Sequence, residues 1–280
     1  MMDYLNPKLL ADSEMLEDIG RRLRKGDLVV IRDAFIPAFA EYVWRDLARD
    51  DVNWVLNEEH VDDGFAFLHH NVYEITDYTP VMREAWSIFD HPETKKWMAR
   101  LSGRDCSGAC ISASASRYFP GDHSLPHSDY DGQRSVAFVW HLSKNWDPSW
   151  GGALYWIPEP RYRHASFNTL NLLSVTAHSE HFVTTVSRYA QEKRLAFNGW
   201  WDASFEPTME DPLENRYATT ADRLTLTCLQ SSRILEIDVS TVADPERREG
   251  LERLQARLRA DQFPEPRSVH VIDPGTAGRV

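Results

Sequence analysis

Between Cys106 and Trp201 the chain passes through short β-type runs in quick succession: CISASASRYF, RSVAFVWHL, GGALYWI, FNTLNLLSV, HFVTTVS and RLAFNGWW. Only turns rich in Gly, Pro, Asp and Asn separate them. Strands spaced this closely leave no room for crossover helices, which rules out a parallel α/β sheet. The pattern predicts an antiparallel sandwich or barrel over residues 106–205. The fold class is therefore mainly β with flanking helices.

The flanks have a different texture. Ser13 can cap a helix that carries Leu16, Ile19 and Leu23 at helical spacing and is stopped by Gly26. Asp27–Phe35 (DLVVIRDAF) is rich in β-branched residues and reads as a strand. A helix is expected from Pro37 to about Asp50. Another follows Thr79-Pro80 with Val81, Ala85, Ile88 and Phe89, and a third near Glu93–Ser102 ends at Gly103. Residues 1–105 thus form an expected, mostly helical layer packed on the core. Residues 206–280 form an extension with a strand at RLTLTCLQ and an amphipathic helix over Glu246–Asp261, where Leu251, Leu254 and Leu258 share a side. A loop tail rich in Pro and Gly follows, and the three parts are expected to make one structural domain.

Charge and cysteine content narrow the function classes. The net charge of −12 repels phosphate and argues against nucleic acid as a partner. No stretch approaches the uninterrupted apolar length of a membrane span. The acidic N-terminal segment MMDYLNPKLLADSEMLED has neither the basic nor the apolar region of a signal peptide. Cys106, Cys110 and Cys228 are too few for a disulfide framework and suit a reducing cytosol. These features predict a cytoplasmic protein that acts on a small molecule and engages neither nucleic acid nor membrane.

His127-Ser128-Asp129 lies between two of the strand runs. In an extended segment residues i and i+2 point to one face, so a single strand delivers an imidazole and a carboxylate side by side. A histidine from a later strand would complete a 2-His-1-carboxylate set, which leaves iron positions open for co-substrate and O2. Read alone, His-x-Asp is a common pattern and describes a surface turn beside Pro126 equally well. For the third ligand there are two candidates, His178 and His181. They are an odd number of residues apart, so one continuous strand can present only one of them to the metal.

The surrounding order adds to this. Tyr118-Phe-Pro-Gly-Asp, His127-x-Asp129, Arg134, a strand ending in Asn145-Trp146, Gly151-Gly152-x-Leu154, Phe167-Asn168, His181-x-Val183, Arg194-Leu195 and Gly199-Trp200 follow one another. From about Ser112 to Trp201 this series resembles the prolyl-4-hydroxylase-like branch of the 2-oxoglutarate/iron(II) oxygenases. The resemblance implies a double-stranded β-helix (jelly-roll) core. It implies hydroxylation of an unactivated C–H bond using Fe(II), 2-oxoglutarate and O2, with succinate and CO2 as co-products and ascorbate sustaining activity.

The resemblance also assigns roles. Iron falls to His127, Asp129 and His181, because the distal histidine precedes a Val-rich strand, and His178 falls in the turn before it. Arg194 meets the distal carboxylate of 2-oxoglutarate and Tyr118 hydrogen-bonds the same molecule. Alternation along RLAFNGWW puts Arg194, Ala196, Asn198 and Trp200 on one face, which makes Asn198 a second polar contact and Trp200 a pocket wall. Ser114, Ser116 and Tyr118 likewise share a face suited to a polar funnel. Gly151-Gly152 allow close backbone approach. The family commonly has Gly-Gly-Glu-Leu where this chain has Gly151-Gly152-Ala153-Leu154, a departure that touches the surroundings of the iron and not its ligands. A filled carboxylate position at Asp129 favours hydroxylation over halogenation.

For the substrate pocket the expected lining is Trp200, Arg134, Trp140, Trp156 and His70, the last from the aromatic and histidine run Phe65–Tyr73. No extended basic or polyproline-binding surface is visible, so the expected substrate is a free amino acid or a small amino-acid-like natural product. One alternative is a residue of a protein or peptide, such as prolyl. A second is a cupin-like metal-binding barrel without oxygenase activity.

Overall fold

In the computed structural model the described residues are 1–61, 65–72, 74–108, 113–130, 133–203, 236–238 and 268–270, with single positions at 245, 248, 249 and 252. The helices are α1 (Pro7–Ala11), α2 (Ser13–Lys25), α3 (Pro37–Leu47), α4 (Pro80–Asp90) and α5 (Pro92–Ser102). The strands are β1 (Val29–Arg32), β2 (Val55–Val61), β3 (Phe65–Val72), β4 (Ser114–Tyr118), β5 (His123–His127), β6 (Arg134–Leu142), β7 (Leu154–Trp156), β8 (Arg161–Arg163), β9 (Phe167–Ser174), β10 (His181–Val183) and β11 (Arg194–Asp202). A separate two-stranded pair joins Glu236–Asp238 to Ser268–His270. The strand expected at RLTLTCLQ lies outside the described residues. So does nearly all of the helix expected over Glu246–Asp261, of which only the helical positions Arg248, Glu249 and Glu252 are described. No described helix is long and apolar enough to cross a membrane.

Local chemistry accounts for the helix ends. The Asp12 side chain accepts from Met15 N–H to start α2, and the Thr79 hydroxyl accepts from Met82 N–H to start α4. Proline occupies the first turn of α3, α4 and α5, where its missing N–H leaves nothing unpaired. Gly103 ends α5 in the left-handed conformation, φ 71°.

The strands form one curled antiparallel sheet, a jelly-roll-like half-barrel with flanking helices, in the order β1-β9-β6-β11-β4-β3-β5-β10-β7-β8, with β2 attached to β3. The expected core is thus present, and it is wider than expected. Residues 1–105 supply the helices and also three strands. β1 extends one edge by pairing with β9, while β3 sits between β4 and β5 and joins the two halves of the sheet. The run Phe65–Val72 therefore belongs to the sheet that carries the site.

Strict alternation divides the two faces. Val136, Phe138 and Trp140 of β6 and Leu195, Phe197 and Trp201 of β11 point towards the helices. There they bury against Leu23, Phe39, Val43, Met82, Phe89 and Met98. The Phe89 and Phe138 rings stack at 4.1 Å, and Phe35 meets Trp140 at 4.3 Å. Asn168 ties distant chain together: Phe35 N–H donates to its Oδ1 (3.2 Å) and its Nδ2 donates to Phe35 O (2.8 Å). The opposite, concave face carries Ser114, Ser116, Tyr118, Ala137, His141, Arg194, Ala196 and Trp200, so that small and polar groups accompany two aromatic ones.

Trp201 is fully buried and its Nε1–H donates to Phe89 O at 2.9 Å, joining β11 to α4. Trp201→Ala is expected to lower stability by about 3–5 kcal/mol, read from the urea unfolding midpoint. A midpoint equal to that of the parent chain would contradict this packing.

Candidate metal centre

β5 ends at His127 and β10 begins at His181, and the two residues are direct Cα partners in the antiparallel pair. Side chains directly opposite on one face lie close together, so this register sets the imidazoles side by side, with ring centroids 4.4 Å apart. Each ring places Nδ1 2.8 Å from the carbonyl oxygen two residues earlier, Leu125 for His127 and Ser179 for His181. A carbonyl only accepts, so each Nδ1 carries the proton and each Nε2 presents its lone pair. Asp129 completes the group: Oδ1 is 3.4 Å from His127 Nε2 and Oδ2 is 3.5 Å from His181 Nε2. The three ligand atoms all lie within 4.8 Å of one another.

His127 and Asp129 meet as expected, but the cause differs from the strand alternation expected. The strand stops at His127, and Asp129 adopts φ 62°, a left-handed conformation that a non-glycine residue takes up infrequently. Hydrogen bonds to backbone carbonyls help to hold this turn. Ser179 Oγ donates to Ser128 O (2.8 Å), joining the two ligand-bearing loops, and Arg134 Nη1 donates to Asp129 O (3.3 Å).

The electrostatics suit a cation. Burial pushes the His127 pKa down to about 4, with neighbouring His181 adding to the effect, so the ring is neutral and ready to ligate. For Asp129 burial acts to raise the pKa, but His181, His127 and Arg134 together outweigh it and hold the carboxyl below its usual value. The neighbouring Trp200 indole also favours the charged carboxylate. Two imidazoles and one carboxylate on a single side of a metal position match the facial triad of non-haem iron sites. His178 is exposed on the preceding turn, away from this group.

Arg194 is the other buried charge on the concave face, 3% exposed. Its Nε donates to Gly152 O (2.6 Å), its guanidinium lies 4.0 Å from the centre of the Tyr118 ring, and Tyr118 is its Cα partner across β11 and β4. Glycine at 152 is required here, because a Cβ would stand 2.8 Å from Arg194 Cδ. Burial lowers the Arg194 pKa, but arginine remains charged at physiological pH. Among the described residues no carboxylate lies within salt-bridge distance of it. A buried cation in this position calls for an anion.

The remaining expected site residues divide. Asn198 and Trp200 share the concave face with Arg194, half-buried. Arg134 stacks its guanidinium 3.9 Å over the Trp200 ring, beside Asp129. Trp156 is the Cα partner of His181 on the side away from His127, with ring centroids 6.3 Å apart. Trp140 and His70 are not brought to the site. Trp140 is fully buried among Phe35, Phe39 and Phe89 on the helix side, where its Nε1–H donates to Asn168 Oδ1 (3.3 Å). His70 points out of the concave face and pairs its Nδ1 with Asp122 Oδ2 at 2.9 Å.

Residues of opposite parity on the same strands take the interior places. Phe67 sets its ring edge-to-face on His127 (4.8 Å), and His69 stacks on Tyr118 at 4.9 Å with the planes 5° apart. Asn71 and His141 also line the interior, and Asn171 contacts His141. The signal for them was alternation: once FAFLHHNV is a strand that places Asn71 opposite Ser116, Phe67 and His69 must share the Ser116 face.

Comparison with known proteins agrees with this geometry. A family model described as the 2OG-Fe(II) oxygenase superfamily matches residues 113–202. No match was found among curated proteins. A prolyl-4-hydroxylase from Pseudomonas putida is similar in structure with TM-score 0.51 and 18% identity, covering 68% of this chain and 99% of that one. A prolyl hydroxylase from Trichoplax adhaerens, solved with a hypoxia inducible factor oxygen degradation domain peptide fragment, gives TM-score 0.52 at 13% identity, covering 74% and 97%. Prolyl 4-hydroxylases from Phytophthora capsici give TM-score 0.50 at 17% identity, covering 89% and 86%. At these identities the likeness is one of fold.

Proposed function

We propose, from the premise that this chain has the 2OG-Fe(II) oxygenase/prolyl-4-hydroxylase fold and a His-Asp-His facial triad, that it is an iron(II), 2-oxoglutarate-dependent hydroxylase of a C–H bond. One observation carries the reading. The metal-type donor set of His127, Asp129 and His181 shares its concave face with a buried arginine that has no carboxylate partner among the described residues. A metal site alone explains the first feature, and a dicarboxylate co-substrate that reaches from metal to Arg194 explains both. A cupin-like metal barrel without oxygenase activity has no use for Arg194.

Iron, 2-oxoglutarate and O2 would supply the oxidising power, with succinate and CO2 released. The chain's own residues do the positioning. Leu125 and Ser179 carbonyls fix the imidazole tautomers so that both Nε2 atoms face one point. Asp129 contributes the single negative charge and fills the position a halide would otherwise take, which favours hydroxylation. Arg194 spends Nε on Gly152 O and keeps its Nη groups for a carboxylate, whose planar geometry they match. Tyr118, beneath the guanidinium, closes that end of the pocket.

For the oxidised substrate we infer a residue within a peptide or protein, prolyl first, in place of the free amino acid expected from the sequence. The support is that the similar structures named above are prolyl hydroxylases, one of them solved with a peptide. The test is succinate release with Fe(II) and 2-oxoglutarate against proline-containing peptides and free amino acids, with mass spectrometry of products formed under isotopically heavy O2. Peptides should stimulate succinate formation and gain one heavy oxygen atom. Stimulation by free amino acids alone would restore the small-molecule reading, and a halogenated product in chloride buffer would overturn hydroxylation.

A further inference from the structure

The concave face holds polar groups that the reading above leaves unused. His69 and Asn71, two apart on β3, form a pair: Asn71 Nδ2 lies 3.0 Å from His69 Nε2. An amide nitrogen donates, so His69 Nε2 accepts and the ring proton sits on Nδ1. That Nδ1 is buried and has no hydrogen-bond partner among the described residues. Asn71 is 2% exposed, and its Oδ1 is likewise buried without a partner among the described residues. Buried polar atoms in native structures are rarely left unpaired, and a cluster of them facing a pocket is suited to meet a ligand or an ordered water.

The same device recurs across the sheet. Asn171 Nδ2 lies 3.1 Å from His141 Nε2, and His141 Nδ1 is buried with no partner among the described residues. The strand order β6-β11-β4-β3 sets His141 on one side of Arg194 and His69 on the other, with Tyr118 of β4 between His69 and Arg194. Burial first, and then the Arg194 charge, push both imidazoles down to about 3, so both are neutral. A neutral N–H donor beside Arg194 adds a hydrogen bond for an anion without adding a second charge.

Position along β3 identifies what His69 faces. Phe67, two residues before it, touches the iron ligand His127, while His69 itself stacks on Tyr118, which carries the Arg194 guanidinium. His69 therefore flanks the span from metal to anchor. We propose that His69 donates its Nδ1–H to the 2-oxoglutarate carboxylate held at Arg194, with Asn71 as the positioning residue that fixes the tautomer. This rests on the co-substrate reading above and extends it: the co-substrate pocket is completed by a strand that lies outside the 113–202 match.

The test uses the full chain loaded with Fe(II) under anaerobic conditions, with 2-oxoglutarate binding followed by calorimetry and kinetic constants measured in parallel. His69→Phe keeps an aromatic ring against Tyr118 and removes the donor. It should weaken 2-oxoglutarate binding and raise its KM by about ten- to a hundred-fold, with kcat at saturation, iron affinity and Tm retained. Asn71→Leu should weaken binding less, and His69→Gln, which restores an N–H, should recover part of the loss. Wild-type affinity in His69→Phe, while Arg194→Leu still binds weakly, would overturn the proposal. So would a changed KM for the oxidised substrate alone, or a loss that follows Tm. Absence of 2-oxoglutarate binding by the parent chain is a separate outcome, which defeats the underlying reading.

Discussion

His181→Ala abolishes the weak visible charge-transfer band expected when Fe(II) and 2-oxoglutarate are combined without oxygen, and turnover falls to background. His178→Ala leaves both intact. Two ligands remain in the first variant, but the donor removed is one whose Nε2 stands 3.5 Å from Asp129 and whose ring touches His127. Losing even an outer hydrogen-bond partner of a metal ligand typically lowers metal affinity or activity by about 10–100-fold. Loss of a ligand should exceed that range. Anaerobic absorption spectra, with iron content measured on the same samples, check the result. A band that survives in His181→Ala and disappears in His178→Ala would reverse the ligand assignment.

Arg194→Leu raises the apparent KM for 2-oxoglutarate by about 10- to 150-fold, since a hydrogen bond to a charged group contributes about 1.5–3 kcal/mol. Iron binding should be retained, because Arg194 makes no contact with the triad. The two cations nearest in sequence cannot substitute. Lys193 bonds to Ala48 O and Asp50 on the outer side, and Arg188 is exposed and bonded to the Tyr189 hydroxyl. Leucine fills much of the volume and leaves Gly152 O without its donor, so Tm is measured alongside. An unchanged KM would remove Arg194 from the co-substrate site.

Strand spacing revealed the core, and it narrowed the third metal ligand to His178 or His181, between which the family resemblance decided. Strands separated by short turns leave few architectures, and a ligand set must be presented by them. Face assignment succeeded where one side of a strand is polar, as in Ser114, Ser116 and Tyr118. It failed for Trp140, since most residues on both faces of β6 are buried, so composition does not mark which side is the pocket. His70 and His69 are adjacent identical residues that differ only in parity, and parity needs a strand partner, here Ser116 opposite Asn71. The turn at Asp129 was hidden as well. A left-handed aspartate leaves no compositional trace, whereas glycine would have.

The clamp between Asn168 and Phe35 has a consequence for how the chain is made. These residues are 133 positions apart, and β1, just before Phe35, has β9 as its partner in the sheet. At about 5–20 residues per second, the N-terminal strand leaves the ribosome roughly 7–27 s before the strand that will cover it. During that interval Val29 and Ile31 have no native partner strand and depend on α2 or on a chaperone to shield them. Closing so long a loop is a slow step, and His127 meets His181 only when β10 has joined β5. Iron capture by the newborn chain should therefore lag behind completion of synthesis, and the rate of metal uptake should report the last stage of folding.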